Sequence, residues 1–322
     1  MTVKEVQQKL DQIAKQVADG ALFESLPDQL DDLIINLPRH RRTKVTVPSE
    51  KQDDEVFNIL APLVDDLNNS KLKKINQKQL KAIEQSLKSV DAQIRDQCGL
   101  TIINGLLANR VMTGEQELEL LAYCLRDDVM FAHVMEPKNS AAFGRSYAMM
   151  TLSGLLYADR VGGSYIDDGL LNTIVSRVLI YTLLEHDTRG IVNQAGWVHA
   201  FAAIAAVMNQ LGASTRVVRS TKLLLMAVLL ERYATLGTPM ITDEQESITT
   251  FLVGLVNMHQ LYHRYLGIQL AHWHDQLKHA NEDDMYSEAY WTRVFNFRRL
   301  TQALVLRESL PDDLAKEILN QD

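Results

Sequence analysis

The chain has 322 residues, 46% of them hydrophobic and 23% charged, which is typical of a folded globular protein and excludes a disordered or fibrous one. Its formal net charge of -8 does not favour binding to nucleic acid, because nucleic-acid binders usually present a positive surface. The length exceeds what one hydrophobic core usually fills, so we expect two domains or an elongated array.

The chain opens on a predicted amphipathic helix. Apolar residues recur at intervals of three and four from Val3 to Val17, and Thr2 with Glu5 predicts a capping box at its start. A second, short helix is predicted to stop at Pro38. Residues 1–37 are therefore interpreted as an N-terminal helical cap.

Residues 38–53 lose the apolar period and are predicted to form a basic linker loop. They hold the chain's only basic cluster, which consists of Arg39, Arg41, Arg42 and Lys44. Such a run is typical of a solvated linker, with a binding patch as the alternative.

From Asp54 onward the pattern is helix after helix, and almost nothing alternates with the period of two that strands require. The predicted helices fall in pairs: 54–68 with 77–89, 91–110 with 115–125, 141–159 with 167–185, 193–211 with 215–234, 243–266 with 269–280, and 286–307 with 311–320. The spacing of the pairs predicts an all-α fold, an α-α superhelix of stacked hairpins like HEAT and armadillo repeats. An irregular helical bundle is the alternative, and residues 54–322 form the predicted helical-repeat domain.

The N-terminus carries charges throughout and lacks an apolar core, so we expect no secretory leader. The longest apolar run that avoids histidine, residues 223–230, is far shorter than the roughly 20 residues of a membrane span. Cys98 and Cys124 are the only cysteines and lie among apolar neighbours, which indicates buried, reduced thiols. Together these features predict a soluble, cytoplasmic protein.

A charged turn between two apolar helices is the first candidate site. Glu185, Asp187 and Arg189 lie in this turn, where an arginine fork between two carboxylates would fix a helix corner or bind a ligand. Asn193 is predicted to cap the next helix and to place Trp197 and His199 in its early turns. A lone imidazole there is either a hydrogen-bonded core residue or a general base.

Two further arginines are candidates to complete this pocket. Arg95 follows a predicted N-cap, Asp91, by four residues, and Arg145 could reach such carboxylates across a groove between helices. The functional interpretation is that these two arginines bind an anion. The structural alternative is that they form salt bridges between stacked repeats.

Three stretches carry a family resemblance: "DAQIRDQ" (residues 91–97), "FGRSYAMMTLSGLLYAD" (143–159) and "EHDTRGIVNQAGWVHAFA" (185–202). They resemble a bacterial family known as domain of unknown function 2785, over about residues 54–281. The resemblance implies a helical, repeat-like fold and no assigned reaction. It also implies a histidine and an aspartate where this chain has Ala203 and Ala206, so only His199 remains of a polar helix face that could hold a metal.

A histidine-rich stretch follows at residues 257–284. His259 and His263 are four apart and are predicted to share a helix face, as metal ligands often do. Gln260 stands where a zinc protease has its glutamate, so that mechanism lacks its general base. We expect no metal, and the two histidines remain the candidates for one.

The sequence contains no glycine-rich phosphate loop, no Cys-x-x-Cys pair and no G-x-S-x-G elbow, so we expect no cofactor. Our first hypothesis is an interaction or scaffold module that binds a protein or peptide partner. The alternative is a small-ligand binder or hydrolase-like enzyme with a pocket around Arg189, Trp197 and His199. A nucleic-acid-binding repeat would use the basic loop, and the acidic balance does not favour it.

Overall fold

A computed structural model describes residues 2–320 and confirms the all-α class, with 69% of the chain helical. The α-helices of the described residues are α1 Val3–Ala18, α2 Leu26–Ile35, α3 Glu50–Asn68, α4 Gln77–Ser86, α5 Thr101–Ala108, α6 Gly114–Cys124, α7 Asp127–Met130, α8 Ala141–Ala158, α9 Asp168–Leu184, α10 Ala200–Ala213, α11 Arg219–Ala234, α12 Glu244–Met258, α13 Gln260–Lys278, α14 Glu282–Met285, α15 Glu288–Val305 and α16 Asp312–Leu319. Two π-helical turns, Gln93–Leu100 and Asp159–Gly163, join helices, and two short strands, β1 Ile191–Val192 and β2 Gly196–Trp197, form a hairpin.

The predicted capping box at the first helix is confirmed. The Thr2 hydroxyl accepts the Glu5 N–H at 3.3 Å, and the Glu5 carboxylate accepts the Thr2 N–H at 2.6 Å. The same arrangement of Ser49 with Gln52 starts α3 at Glu50, four residues before the predicted start and inside the predicted linker. Local side-chain caps thus set these helix starts.

The break between α12 and α13 differs from the prediction, which placed it between residues 266 and 269. The helix breaks at His259, where φ is -163° and ψ is 141°. The His259 imidazole Nδ1 accepts the Leu261 N–H at 3.0 Å and so caps the new helix. His259 therefore stands before the helix that carries His263, and the predicted shared helix face is wrong.

The described residues form two compact units. Unit 1 comprises the chain up to Pro38, Val178–Thr188, and the chain from Met208 to the end of the described residues. Unit 2 comprises Arg39–Arg177 and Arg189–Val207. Residues 54–322, predicted as one helical-repeat domain, thus contribute to both units.

The centre of unit 1 is α11, which is buried from Lys222 to Ala234. A helix that is buried on all sides needs apolar residues all round, and residues 223–230 supply them. Helices α1, α2, α13 and α15 pack against it. Among residues 2–320, no helix combines the length and the hydropathy that crossing a bilayer requires.

Unit 2 is built around α8, which contacts α5, α6 and α7, while α3 packs against α4, α5 and the first π-helical turn. Both cysteines lie in this unit as free thiols, with Cys98 5% exposed and Cys124 fully buried. Burial raises the pKa of both thiols above the usual range, so they remain protonated packing residues.

Candidate functional site

Residues 189–199 of unit 2 form a β-hairpin that leads into α10. Ile191 pairs with Trp197 and Val192 pairs with Gly196 in antiparallel register. Two more main-chain bonds extend the pairing, because the Val198 N–H donates to the Gly190 carbonyl at 2.8 Å and the His199 N–H donates to the Arg189 carbonyl at 3.2 Å.

The prediction that Asn193 caps a helix carrying Trp197 and His199 is wrong. Helix α10 begins at Ala200, so Trp197 lies on a strand and His199 precedes the helix with a left-handed φ of 48°. The reversal is local, since Gln194 and Gly196 have φ of 65° and 79°. The His199 ring packs edge-on against the Trp197 ring, with centroids 4.2 Å apart.

Arg95 fixes the tip of this hairpin. Its fully buried guanidinium donates to the Ala195 carbonyl at 2.7 Å, to the Ser89 carbonyl at 3.0 Å and to Asp96 at 2.8 Å. The guanidinium carbon also lies over the rings of Phe143 and Tyr147, 4.3 Å and 4.7 Å from their centroids. The charge is therefore desolvated but surrounded by acceptors and aromatic faces.

The other predicted arginines of unit 2 also bind main-chain carbonyls. Arg145 is fully buried and donates to the Ala132 carbonyl at 2.7 Å, and Arg189 donates to the Asn139 carbonyl at 2.7 Å. The Ser146 hydroxyl donates to the Val198 carbonyl. These bonds tie the hairpin and the segment before α8 to the helices of unit 2.

Glu185 and Asp187 belong to unit 1, where both are fully buried. The Glu185 carboxylate accepts the Tyr181 hydroxyl at 2.8 Å and the N–H groups of His186 and Asp187 at 2.9 Å each. The seven predicted pocket residues are thus divided between the two units, and a shared pocket stays a prediction.

The candidate metal ligands of the histidine-rich stretch have separate partners. His259 Nε2 lies 3.0 Å from the Arg219 guanidinium, and His263 Nε2 lies 3.4 Å from the Asp313 carboxylate. His272 faces Asp28 instead, at 3.6 Å. Within residues 2–320, no group of three or more His, Cys, Asp or Glu residues is arranged to hold a metal ion.

A groove of about 810 Å³ lies in unit 2. It is lined by residues 45–48, the first turns of α3, one face of α4, the end of α6 with α7, and the start of α8. None of the seven predicted pocket residues lines it.

Five of the seven charged side chains of the groove are paired with one another, and Asp53 and Glu55 form no ion pair among residues 2–320. Lys81 Nζ lies 2.9 Å from Glu84, and Asp128 lies 2.8 Å from Arg126 and 3.4 Å from Lys88. Its lining has three cations (Lys81, Lys88, Arg126) and four carboxylates (Asp53, Glu55, Glu84, Asp128), a formal sum of -1. Burial raises the pKa of Glu84 and of Asp53. This lining does not suit a polyanionic ligand.

An aromatic residue stands in the groove among these charges. Tyr123 is 8% exposed, and Lys88 Nζ and the Arg126 guanidinium each lie 5.7 Å from its ring centroid. Its hydroxyl has no hydrogen-bond partner among residues 2–320. The groove therefore offers one phenol donor as well as apolar contacts at Val56 and Val129.

The segment before the groove is anchored to unit 2. Glu136 accepts the Thr43 N–H and the Thr43 hydroxyl, both at 2.7 Å, and the His40 N–H donates to the Met135 carbonyl at 2.9 Å. Burial raises the Glu136 pKa, but the hydrogen bonds from Thr43 and His133 outweigh it and leave the pKa below its usual range. The predicted linker is thus fixed at residues 40–43.

Beyond this anchor, residues 45–47 form an open segment. Among residues 2–320, no N–H or carbonyl group of this open segment takes part in a hydrogen bond. Its residues, Val45, Thr46 and Val47, are β-branched and favour an extended main chain. Along the groove, the open segment therefore presents main-chain donors and acceptors that a ligand can pair with.

The family model described as Protein of unknown function (DUF2785) matches residues 130–306, more than half of the chain. The matched range contains the hairpin and, of the groove, only the residues at and before the start of α8. No curated protein and no solved structure matches the chain.

Proposed function

The chain belongs to the family described as Protein of unknown function (DUF2785), and we propose that it is a binding protein whose groove takes an extended segment of a partner polypeptide. The observation that carries this proposal is the open segment, residues 45–47, which borders the groove with unpaired main-chain groups. An extended peptide that adds beside such a segment gains main-chain hydrogen bonds.

The groove also has the lining that side-chain recognition needs. A peptide whose main chain pairs with the open segment directs alternate side chains into the groove. Val56 and Val129 offer apolar contact there, and the Tyr123 hydroxyl offers one directed hydrogen bond. The paired charges of α4 and α7 leave no concentrated field, which suits a peptide of mixed composition better than a phosphorylated one.

In this proposal the hairpin has a structural role and not a catalytic one. Arg95, Arg145 and Arg189 each donate to a main-chain carbonyl, which holds segments of unit 2 together. We therefore assign to the hairpin the support of the groove unit and propose no reaction around Arg189, Trp197 and His199. The repeat superhelix stays a sequence prediction.

The proposal is tested by selecting phage-displayed random peptides on the full chain. Counter-selection uses the variant Ser140→Trp, because Ser140 is an exposed lining residue and the indole fills the groove. Lys73→Trp, an exposed site outside the groove lining, is the matched control. We expect peptides that bind the wild type and Lys73→Trp but not Ser140→Trp.

Proline substitution then tests the main-chain pairing. Neighbouring N–H groups of an extended segment point in opposite directions, so one of Thr46→Pro and Val47→Pro removes a donor that the peptide uses. Thr46→Ala and Val47→Ala keep the donors and are the controls. We expect one proline variant to lose at least about tenfold in affinity, with both alanine variants close to the wild type.

Two results contradict the proposal. One is a selection that yields no peptide binding the wild type more tightly than the Ser140→Trp variant. A small metabolite that raises the melting temperature of the wild type, but not of Ser140→Trp, would then assign the groove to a small ligand. The other is wild-type peptide affinity in both proline variants, because binding would then not use the main-chain donors of the open segment.

A further inference from the structure

The outer face of α15, in unit 1, carries exposed aromatic side chains. Trp291 is 49% exposed and Phe295 is 45% exposed, with ring centroids 6.3 Å apart. The Trp291 indole N–H donates to the Met285 carbonyl at 2.9 Å, which holds the ring in place. Two large exposed rings side by side, one of them held by a hydrogen bond, are typical of an interface.

This face is outward because the opposite face is buried. The buried residues of α15 are Thr292, Asn296, Phe297, Leu300, Thr301 and Leu304. The exposed residues Glu288, Trp291, Phe295, Arg298 and Gln302 follow helical spacing along the other side. We call these five residues the α15 face.

The α15 face has a two-fold pattern of charge and aromatic residues. Trp291 and Phe295 lie two positions before and after Arg293, and Glu288 and Arg298 lie five positions before and after it. Neither Glu288 nor Arg298 forms an ion pair among residues 2–320. Consider a second, antiparallel copy of α15 related to the first by a two-fold axis at the level of Arg293. Trp291 of one copy would then face Phe295 of the other, and Glu288 would face Arg298.

We propose that the chain forms a homodimer through the α15 face, with the two helices antiparallel. Trp291 of each copy packs on Phe295 of the other, and two Glu288–Arg298 pairs close the ends of the contact. A symmetric pattern of this kind suits a second copy, since an isologous interface requires one patch to be complementary to itself. A lipid surface fits less well, because Glu282, Asp283 and Asp284 flank the rings and anionic lipids repel acidic side chains.

Sedimentation velocity of the full chain over a range of concentrations tests the dimer. We expect the wild type to dimerise. Trp291→Ala should raise the dimer dissociation constant at least about a hundredfold, because a central aromatic side chain is lost from both copies. Ile241→Ala, at another exposed apolar residue of unit 1, is the control and should dimerise like the wild type. An unchanged circular dichroism spectrum and cooperative thermal unfolding of the monomeric variants show that they are folded.

Charge exchange tests the antiparallel register. Glu288→Arg and Arg298→Glu each place like charges together at both ends, so each should weaken association at least about tenfold. The double variant Glu288→Arg/Arg298→Glu restores opposite charges and should dimerise again. The two single variants, when mixed, should associate with each other for the same reason.

Three results overturn the proposal. The first is a wild-type chain that stays monomeric at every concentration, and binding of that monomer to anionic vesicles through Trp291 would assign the face to a membrane instead. The second is a dimer that Trp291→Ala leaves unchanged. The third is a double charge variant that fails to recover, which would exclude the antiparallel register.

Discussion

The Arg95 guanidinium donates a 2.7 Å hydrogen bond to the Ala195 carbonyl, which is 100 residues later in the chain. Arg95 stands in a π-helical turn and Ala195 at the tip of the hairpin, so one side chain joins the two segments from which unit 2 is built. Because the guanidinium is buried, losing it leaves the Ser89 and Ala195 carbonyl groups without this donor.

Arg95→Lys should therefore destabilise the fold by about 2–4 kcal/mol, because a lysine cannot reproduce the planar fork and leaves buried acceptors unsatisfied. Urea denaturation followed by circular dichroism measures the loss. Arg41→Ala, at an exposed arginine, should change the free energy of unfolding by less than about 0.5 kcal/mol. Equal stability of Arg95→Lys and the wild type would mean that the hydrogen bonds of Arg95 do not hold the hairpin.

Gly196 and Gly20 offer a matched pair for separating backbone strain from collision. Both have positive φ, 79° and 73°, but a Cβ at Gly196 would lie 3.0 Å from Ala92 and from the Arg95 guanidinium, whereas a Cβ at Gly20 meets nothing within 4 Å. Gly20→Ala should cost about 1 kcal/mol from backbone strain alone, and Gly196→Ala about 2–3 kcal/mol. Equal denaturation midpoints for the two variants would show that the hairpin accommodates the added methyl group without a loss of stability.

The buried Glu231 carboxyl should make the stability of the protein depend on pH. Glu231 is fully buried in unit 1, accepts a 2.5 Å hydrogen bond from Gln269, and burial raises its pKa to about 8 from the usual 4.5. Between these values the folded chain holds a proton that the unfolded chain has released. The free energy of unfolding therefore falls as pH rises from about 4.5 to 8, by roughly 1 kcal/mol per pH unit from this group, and is level above that window.

Glu231→Gln removes this titration and keeps an acceptor for Gln269. Its free energy of unfolding should exceed that of the wild type increasingly as pH rises through the window, and the difference should stop growing above pH 8 or so. Urea denaturation at a series of pH values gives the difference. Parallel curves for the two proteins would place the Glu231 pKa near its ordinary value in the folded state.

The anchor of Thr43 on Glu136 should control proteolysis of the basic segment. Arg41, Arg42 and Lys44 are exposed sites for trypsin, and the carboxylate of Glu136 holds the main chain between them. Glu136→Ala should speed cleavage there several-fold, since a protease needs a segment that can leave its partners. Glu50→Ala, at an exposed carboxylate outside this contact, is the control, and equal cleavage of both variants would show that the anchor does not restrain the segment.

The sequence predicts those features that depend on residues close together along the chain. The capping box of Thr2 with Glu5 and the apolar run of α11 are of this kind. The hairpin left a weaker trace, a glycine two residues after Gln194, while the surrounding apolar spacing favoured a helix. What stabilises it is the hydrogen bond from Arg95, which no spacing within the hairpin reveals.

The groove could not be predicted, because its lining comes from five helices and from irregular segments that are separated along the chain. Tyr123 has the position of a core residue in its predicted helix, Val129 lies outside every predicted helix, and Lys81 with Glu84 has the spacing of an ordinary surface pair. The break at His259 was missed for the same reason, since its capping imidazole is held by Arg219 of another helix. Only the β-branched residues 45–47 before Pro48 gave a local sign of an extended main chain.

The interleaved make-up of the two units has a consequence for synthesis on the ribosome. Helices α1 and α2 emerge before unit 2, yet the surface that buries them belongs to α11, which is translated only after all of unit 2. The apolar faces of α1 and α2 therefore stay exposed, or bound by a chaperone, until unit 2 is complete and α11 has been synthesised. A nascent chain stalled before Arg219 should fold its groove and leave α1 and α2 unburied.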